Sequence, residues 1–321
     1  MNTKTILIIL GEPNSTFSEI LSKYFKSKIF KQNQNKIILI GSKHLFEKQI
    51  KQLKYSLKIH EINDTHNASI KKINIININY KFKKPFTEIS QNSNTYIKNC
   101  FDLSLKLIIE KKADVLINGP ISKKHFLKKR FLGVTEYIAN RTDSEEPVML
   151  IYNKNLAVSP LTTHVPLKNV ARHIKKKKII NNILKIHNFY KKRLGKNPNI
   201  AVLGLNPHCE TTSKISEESK EIMPAIKFLK KKKIKVDGPI AADTFFLKKN
   251  LKKFNVVLGM YHDQVLTPVK TLFEFKAINI TLGLPFIKIT PDHGPNYEMI
   301  GKNKSDPSSI FYALNFLNKV K

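Results

Sequence analysis

Nine short apolar runs alternate with amphipathic stretches of helical length, and this alternation limits the fold more than any other feature of the chain. The runs cover 6–10, 37–40, 73–78, 115–117, 148–152, 157–161, 200–205, 256–260 and 278–282, and those at 6–10, 37–40 and 115–117 are Ile, Leu and Val alone. Strands that are apolar at every position have both faces covered, as in parallel sheets wrapped by helices. Stretches at 17–25, 96–111, 170–190, 217–231 and 308–320 carry helical spacing of apolar residues. The expected fold class is α/β, with largely parallel sheets and flanking helices. Ligands in such folds sit beyond the carboxyl ends of the strands.

Charge narrows the class of partner. The formal net charge is +33, yet only four of the 57 basic residues are Arg: Arg130, Arg141, Arg172 and Arg193. Nucleic-acid readers lean on Arg for bidentate contacts. Here Lys is spread over the whole chain, and the runs 175–178 and 230–233 fall in segments of helical spacing. They read as solvated helix faces, so no nucleic-acid partner is expected, while anionic small substrates are favoured by steering. Cys100 and Cys209 form no CxxC or disulfide framework, which suits a reducing cytoplasm. No window approaches ~18 apolar residues, so a soluble cytoplasmic protein with no membrane partner is expected.

Three apolar runs end at a histidine. "AVSPLTTHVPL" delivers His164, "IAVLGLNPHCE" delivers His208 and "VVLGMYHDQ" delivers His262. Imidazoles suit Zn²⁺ and similar ions, and three protein ligands leave positions open for substrate. A neighbouring carboxylate can fix a ligand's tautomer, and Asp263 and Glu210 are nearest in sequence. Each His taken alone reads equally as a cap or a hydrogen-bonding group. In "VLINGPISKK", Ser122 is placed to cap a helix, with Lys123 beside a helix N-terminus that could hold an anion. Asp243 in "DGPIAADTFF" reads as an N-cap or a proton acceptor. "NITLGLPFIKITPDHGPNYE" sets Asn279, Lys288, Asp292 and His293 in a turn-rich apolar segment. No GxG occurs, which removes the Rossmann fingerprint and the P-loop.

Taken together, these segments resemble the 4-hydroxythreonine-4-phosphate dehydrogenase family of vitamin B6 biosynthesis. The matching pieces, in order, are "GEP" at 11–13, "NGPISK" at 118–123, "TTHVPL" at 162–167, "GLNPH" at 204–208, "GPIAADTFF" at 238–246, "MYHDQ" at 260–264, "NITLGLPF" at 279–286 and "DHG" at 292–294. The resemblance implies a two-domain α/β fold like that of isocitrate and isopropylmalate dehydrogenases. We expect one domain from 1–130 with 265–321 and a second from 131–264, with the active site in the cleft between them. It also implies a homodimer sharing its active sites, and NAD or NADP with one divalent ion (Zn, Mg or Co) as cofactors. His164, His208 and His262 fall on the family's metal positions. Thr135, Lys270, Asn279 and Lys288 fall on its substrate contacts. Three positions depart from the family pattern. Val134 stands where the family has His, Lys288 where it has Arg, and "GEPNSTFSE" where it has "GEPAGIGPE".

The implied reaction is NAD(P)-linked oxidation of a secondary alcohol on 4-phosphohydroxy-L-threonine, followed by loss of CO₂ from the β-keto acid. A metal on the three His would polarise the hydroxyl, Lys270 and Lys288 would contact phosphate or carboxylate, and Asp243 would accept a proton. The departures leave open a sister dehydrogenase acting on another four-carbon phosphorylated hydroxy acid such as erythronate 4-phosphate. A Lys-rich nucleic-acid binder and a metal-dependent hydrolase are the rival classes. The scattered Lys argues against the first, and the lack of HExxH or GxSxG argues against the second.

Overall fold

The computed structural model describes residues 3–127, 131, 133–209, 215–274, 276–291 and 296–320. Asp292, His293 and Gly294 of the "DHG" segment lie outside them, as does Glu210. The chain divides into two packing units: unit 1 is Met1–Glu145 with Leu284–Lys319, and unit 2 is Glu146–Gly283 with Val320–Lys321. The boundaries expected from sequence stood at 130/131 and 264/265. The segment after 130 goes with unit 1 because the helix Val134–Arg141 buries Tyr137 and Ile138 in that unit's core. The segment after 264 goes with unit 2 because the helix His262–Phe273 packs on strands of that unit.

Unit 1 contains β1 (Thr5–Ile9), β2 (Lys36–Gly41), β3 (Ile59–Glu61), β4 (Ile73–Asn77), β5 (Val115–Asn118) and β12 (Ile287–Pro291). They run in the order β3-β4-β2-β1-β5-β12, and every pair in that series is parallel. Ile6, Leu7, Ile8 and Ile9 are all fully buried, which explains why β1 is apolar from its second residue on. The helix Phe17–Lys26 buries Phe17, Ile20, Leu21 and Tyr24, the spacing of one helical stripe.

The loop between β1 and that helix is held by its own polar groups. Ser15 Oγ donates to the Glu12 carbonyl at 2.8 Å. Asn14 accepts from Thr87 N at 3.0 Å and donates to the Glu88 carbonyl at 3.0 Å. Side-chain bonds therefore brace "GEPNSTFSE", which lacks two of the family's glycines. Burial pushes the Glu12 carboxyl up, against hydrogen bonds from Asn14 N and Ser93 Oγ.

Unit 2 contains β6 (Val148–Tyr152), β7 (Ala157–Thr162), β8 (Ile200–Leu203), β9 (Val236–Ile240), β10 (Val256–Tyr261) and β11 (Ile278–Leu282), in the order β11-β6-β7-β10-β8-β9. β6 is antiparallel to β11 and β7, and β7, β10, β8 and β9 are mutually parallel. The core joins Val158, Ala201, Leu203, Phe245, Val257, Val265 and Val269. Lys175–Lys177 and Lys230–Lys233 are exposed, as their helical placement predicts. Both cysteines are free and buried. Among the described residues no helix is long and apolar enough to cross a membrane.

Three strands escape the sequence pattern. β3 has only three residues, β9 contains Gly238 and Pro239, and β12 is interrupted by Lys288. Pro is tolerated in β9 because the series ends there, leaving no ladder partner for the missing N–H.

Gly11 sets the loop after β1. Its φ is +73°, and an added Cβ would stand 2.5 Å from the Pro120 carbonyl oxygen, which accepts from Glu12 N at 2.8 Å. Gly11→Ala is expected to destabilise the protein by about 1–3 kcal/mol, measured as a lowered urea midpoint at unchanged m-value.

Candidate active site

Hydrogen bonds link the carboxyl ends of β7, β10, β8 and β9 into one relay. Thr162 Oγ1, on the last residue of β7, donates to the Met260 carbonyl in β10 at 2.8 Å. Met260 N donates to Gln264 Oε1 at 2.7 Å, and Gln264 Nε2 donates to the Gly204 carbonyl just past β8 at 2.8 Å. Gly204 N donates in turn to the Ile240 carbonyl of β9 at 3.0 Å. The loop after β8 then hangs on Glu218, which is fully buried. Its Oε1 accepts from Leu205 N at 2.7 Å and Asn206 N at 2.8 Å, and its Oε2 accepts from Asn206 Nδ2 at 2.8 Å. Gly204 permits the close turn, since a Cβ there would meet Cys209 Sγ at 2.7 Å.

The three candidate ligands leave these strand ends. His164 follows β7 by two residues, and His262 opens the helix after β10. Their ring centroids are 6.4 Å apart at an interplanar angle of 32°. His262 Nδ1 lies 2.6 Å from Asp263 Oδ1, an arrangement in which Nε2 could serve as a ligand with a carboxylate behind the ring. His208 is exposed, with φ 56°, and Cys209 follows at φ 58°, so both non-glycine residues are left-handed. Asp243 is exposed in the short helix Ala242–Phe245, and its Oδ1 accepts from Thr244 N at 2.8 Å. That helix packs on the turn Pro207–Cys209. Burial above all pushes the Cys209 thiol up, and the charges of Glu218 and Asp243 add to it.

Two imidazoles on one ion at about 2.1 Å can have centroids no more than ~6.5 Å apart, so His164 and His262 stand at the outer edge of that range. Among the described residues no three His, Cys, Asp or Glu side chains already stand as a closed ligand set. The donors nonetheless suit a divalent cation: imidazoles from three neighbouring strand ends, one with its second nitrogen tied to a carboxylate.

The expected substrate residues divide between the units. In unit 2, Lys270 is half-buried on the His262–Phe273 helix. Asn279, also half-buried, keeps its Oδ1 inside β11 with no hydrogen-bond partner among the described residues. In unit 1, Thr135 is half-buried in the first turn of the Val134–Arg141 helix, and Val134 packs against that unit's core. Lys288 is 1% exposed. Its Nζ donates to Thr290 Oγ1 at 2.6 Å, which donates to Asn118 Oδ1 at 3.1 Å. Burial holds the Lys288 ammonium down to about 7, against the charge of Glu136.

Ser122 does not cap as expected. It is buried, but its Oγ makes no hydrogen bond among the described residues, because the chain continues into a single π turn, Lys123–Leu127. Sequence reading also missed Glu218, Gln264 and Thr162 as builders of the site. Gln264 and Thr162 were at least next to the singled-out histidines. Nothing local marks Glu218.

Residues 33–317 match the model of a family described as pyridoxal phosphate biosynthetic protein PdxA. A 4-hydroxythreonine-4-phosphate dehydrogenase of Sulfurihydrogenibium sp. is 40% identical over 316 residues, covering 96% of each chain. The crystal structure of a 4-hydroxythreonine-4-phosphate dehydrogenase from Burkholderia phymatum superposes with a TM-score of 0.82 at 27% identity, over 98% of this chain and 97% of that one. An isocitrate dehydrogenase from Methylococcus capsulatus shares the fold alone, with a TM-score of 0.52 at 10% identity over 98% of this chain and 85% of that one.

The burial of Lys288 has a measurable consequence. Its folded value, about 7, lies below the ~10.4 of an unfolded lysine, so the unfolded chain holds more protons between those limits. Lys288's contribution is fully present above ~10.4 and lost as pH falls through about 7. Lys288→Met is therefore expected to be more stable than wild type at pH 6, by a few kcal/mol at most. The gap should close toward pH 10 in paired urea unfolding curves.

Proposed function

We propose that this chain, which belongs to the PdxA family of pyridoxal phosphate biosynthetic proteins, oxidises and decarboxylates 4-phosphohydroxy-L-threonine with a nicotinamide cofactor. The observation that carries the reading is the delivery of His164, His208 and His262 from adjacent parallel strand ends joined by one hydrogen-bond relay. These three residues would hold one divalent cation. When bound, that cation polarises the substrate's secondary hydroxyl, and the nicotinamide supplies the hydride acceptor.

The chain's own residues do the rest. Asp263 takes the Nδ1 hydrogen of His262 and so fixes the tautomer that exposes Nε2. Asp243 is the proton acceptor for the hydroxyl, with Oδ1 engaged by Thr244 N and Oδ2 left to work. Lys270 and Asn279 supply a cation and an amide for the substrate's polar groups. Thr135 donates to the phosphate, and Lys288 meets it with a single ammonium in place of the family's guanidinium. Val134 offers no hydrogen bond where the family has His. We further propose that the protein works in the cytoplasm as a homodimer.

The test is NAD(P)H formation by purified protein on 4-phosphohydroxy-L-threonine, with erythronate 4-phosphate as comparison and with and without chelator. Turnover of the first that chelation abolishes is expected, and faster turnover of erythronate 4-phosphate would replace the substrate reading. His262→Ala is expected to lose both bound metal and turnover while its circular dichroism stays native. Wild-type turnover in that variant would remove His262 from the site. Because free Lys288 is mostly neutral at pH 8, substrate binding there is expected to take up about one proton. Calorimetry in buffers of differing ionisation enthalpy measures that uptake, which Lys288→Met should lack.

A further inference from the structure

We infer that Glu218 is a positioning residue for the His208 ligand, an inference that rests on the three-histidine reading above. The three histidines are not carried equally. His262 starts a twelve-residue helix, and His164 follows a six-residue strand. Of the three, His208 alone has left-handed backbone, and it and Cys209 have φ of 56° and 58°. Left-handed conformations of non-glycine residues persist only where the surroundings over-determine them.

Glu218 is the over-determining group. Its fully buried carboxylate takes two backbone N–H groups on Oε1, from Leu205 at 2.7 Å and Asn206 at 2.8 Å. It takes the Asn206 amide on Oε2 at 2.8 Å. Glu217 Oε2 accepts from the same amide at 3.0 Å. Asn206 therefore has its backbone and side chain fixed two residues before His208. Burying a carboxylate is costly unless its hydrogen bonds are complete, and these bonds all go to the short segment that carries the ligand. The loop is also closed from within, since a Cβ on Gly204 would stand 3.1 Å from Glu218 Oε1. Glu218 touches neither the cation nor the substrate in this role. It sets where the His208 ring begins, and so the affinity of the histidine set for its ion.

The test is Co²⁺ affinity of the full chain by calorimetry and visible absorption, with apo-protein unfolding measured in parallel. Glu218→Ala is expected to bind Co²⁺ about 10–100-fold more weakly at a temperature where its circular dichroism is native. Glu218→Gln keeps an acceptor for the two backbone N–H groups but sets an amide donor against the Asn206 amide, so its Co²⁺ affinity is expected to fall between wild type and Glu218→Ala. Wild-type Co²⁺ affinity in Glu218→Ala, whatever its unfolding temperature, overturns the inference and reduces Glu218 to a structural role. If Glu218→Ala does not fold, Glu218→Asp decides: its shorter carboxylate should weaken Co²⁺ binding, and unchanged affinity overturns the inference. Failure of the wild-type protein itself to bind Co²⁺ would overturn the three-histidine reading instead.

Discussion

The side chain of Gln264 holds together the part of unit 2 on which the proposed chemistry depends. Past the last ladder bond, neighbouring parallel strands have nothing to keep their ends in step. A primary amide can both accept and donate, so Gln264 acts there like an extra peptide group. It takes the Met260 N–H of β10 and gives its own N–H to the Gly204 carbonyl beyond β8. Thr162 adds a single bond from β7, its Oγ1 donating to the Met260 carbonyl. The starting heights of three histidine-bearing segments are thereby fixed relative to one another, before any ion or substrate arrives.

Much of this was legible in the sequence because burial on both faces leaves a plain mark. The runs that became β1, β2, β5, β8 and β10 contain no polar side chain, that of β7 is broken only by Ser159 and Pro160, and three of the six lead to a histidine. β9, where Asp237, Gly238 and Pro239 follow one another, and β12, where Lys288 interrupts the run, break that mark and escape the sequence pattern. The carboxylate that shapes the His208 loop lies twelve residues beyond Asn206 in sequence, and only folding joins them. No periodicity announces it. The left-handed backbone at His208 was equally hidden, since neither His nor Cys signals a positive φ as Gly does.

Lys288 stands where the family pattern has Arg, and the two cations behave differently when buried. A guanidinium stays protonated at any physiological pH. An ammonium in the same 1% exposed position can shed its proton, and burial holds this one down to about 7. Its Nζ donates to Thr290 Oγ1, which donates to Asn118 Oδ1. An ammonium there can change its protonation state near neutral pH, which Arg cannot. Val134 is half-buried and packs against the apolar core, at the position where the family pattern has His.

The most direct measurement is anomalous diffraction from crystals loaded with Co²⁺. One peak is expected within about 2.3 Å of a ring nitrogen of each of His164, His208 and His262, with His262 bound through Nε2 and Asp263 still on its Nδ1. A peak that omits any of the three rings, or an ion held elsewhere in the molecule, would contradict the site.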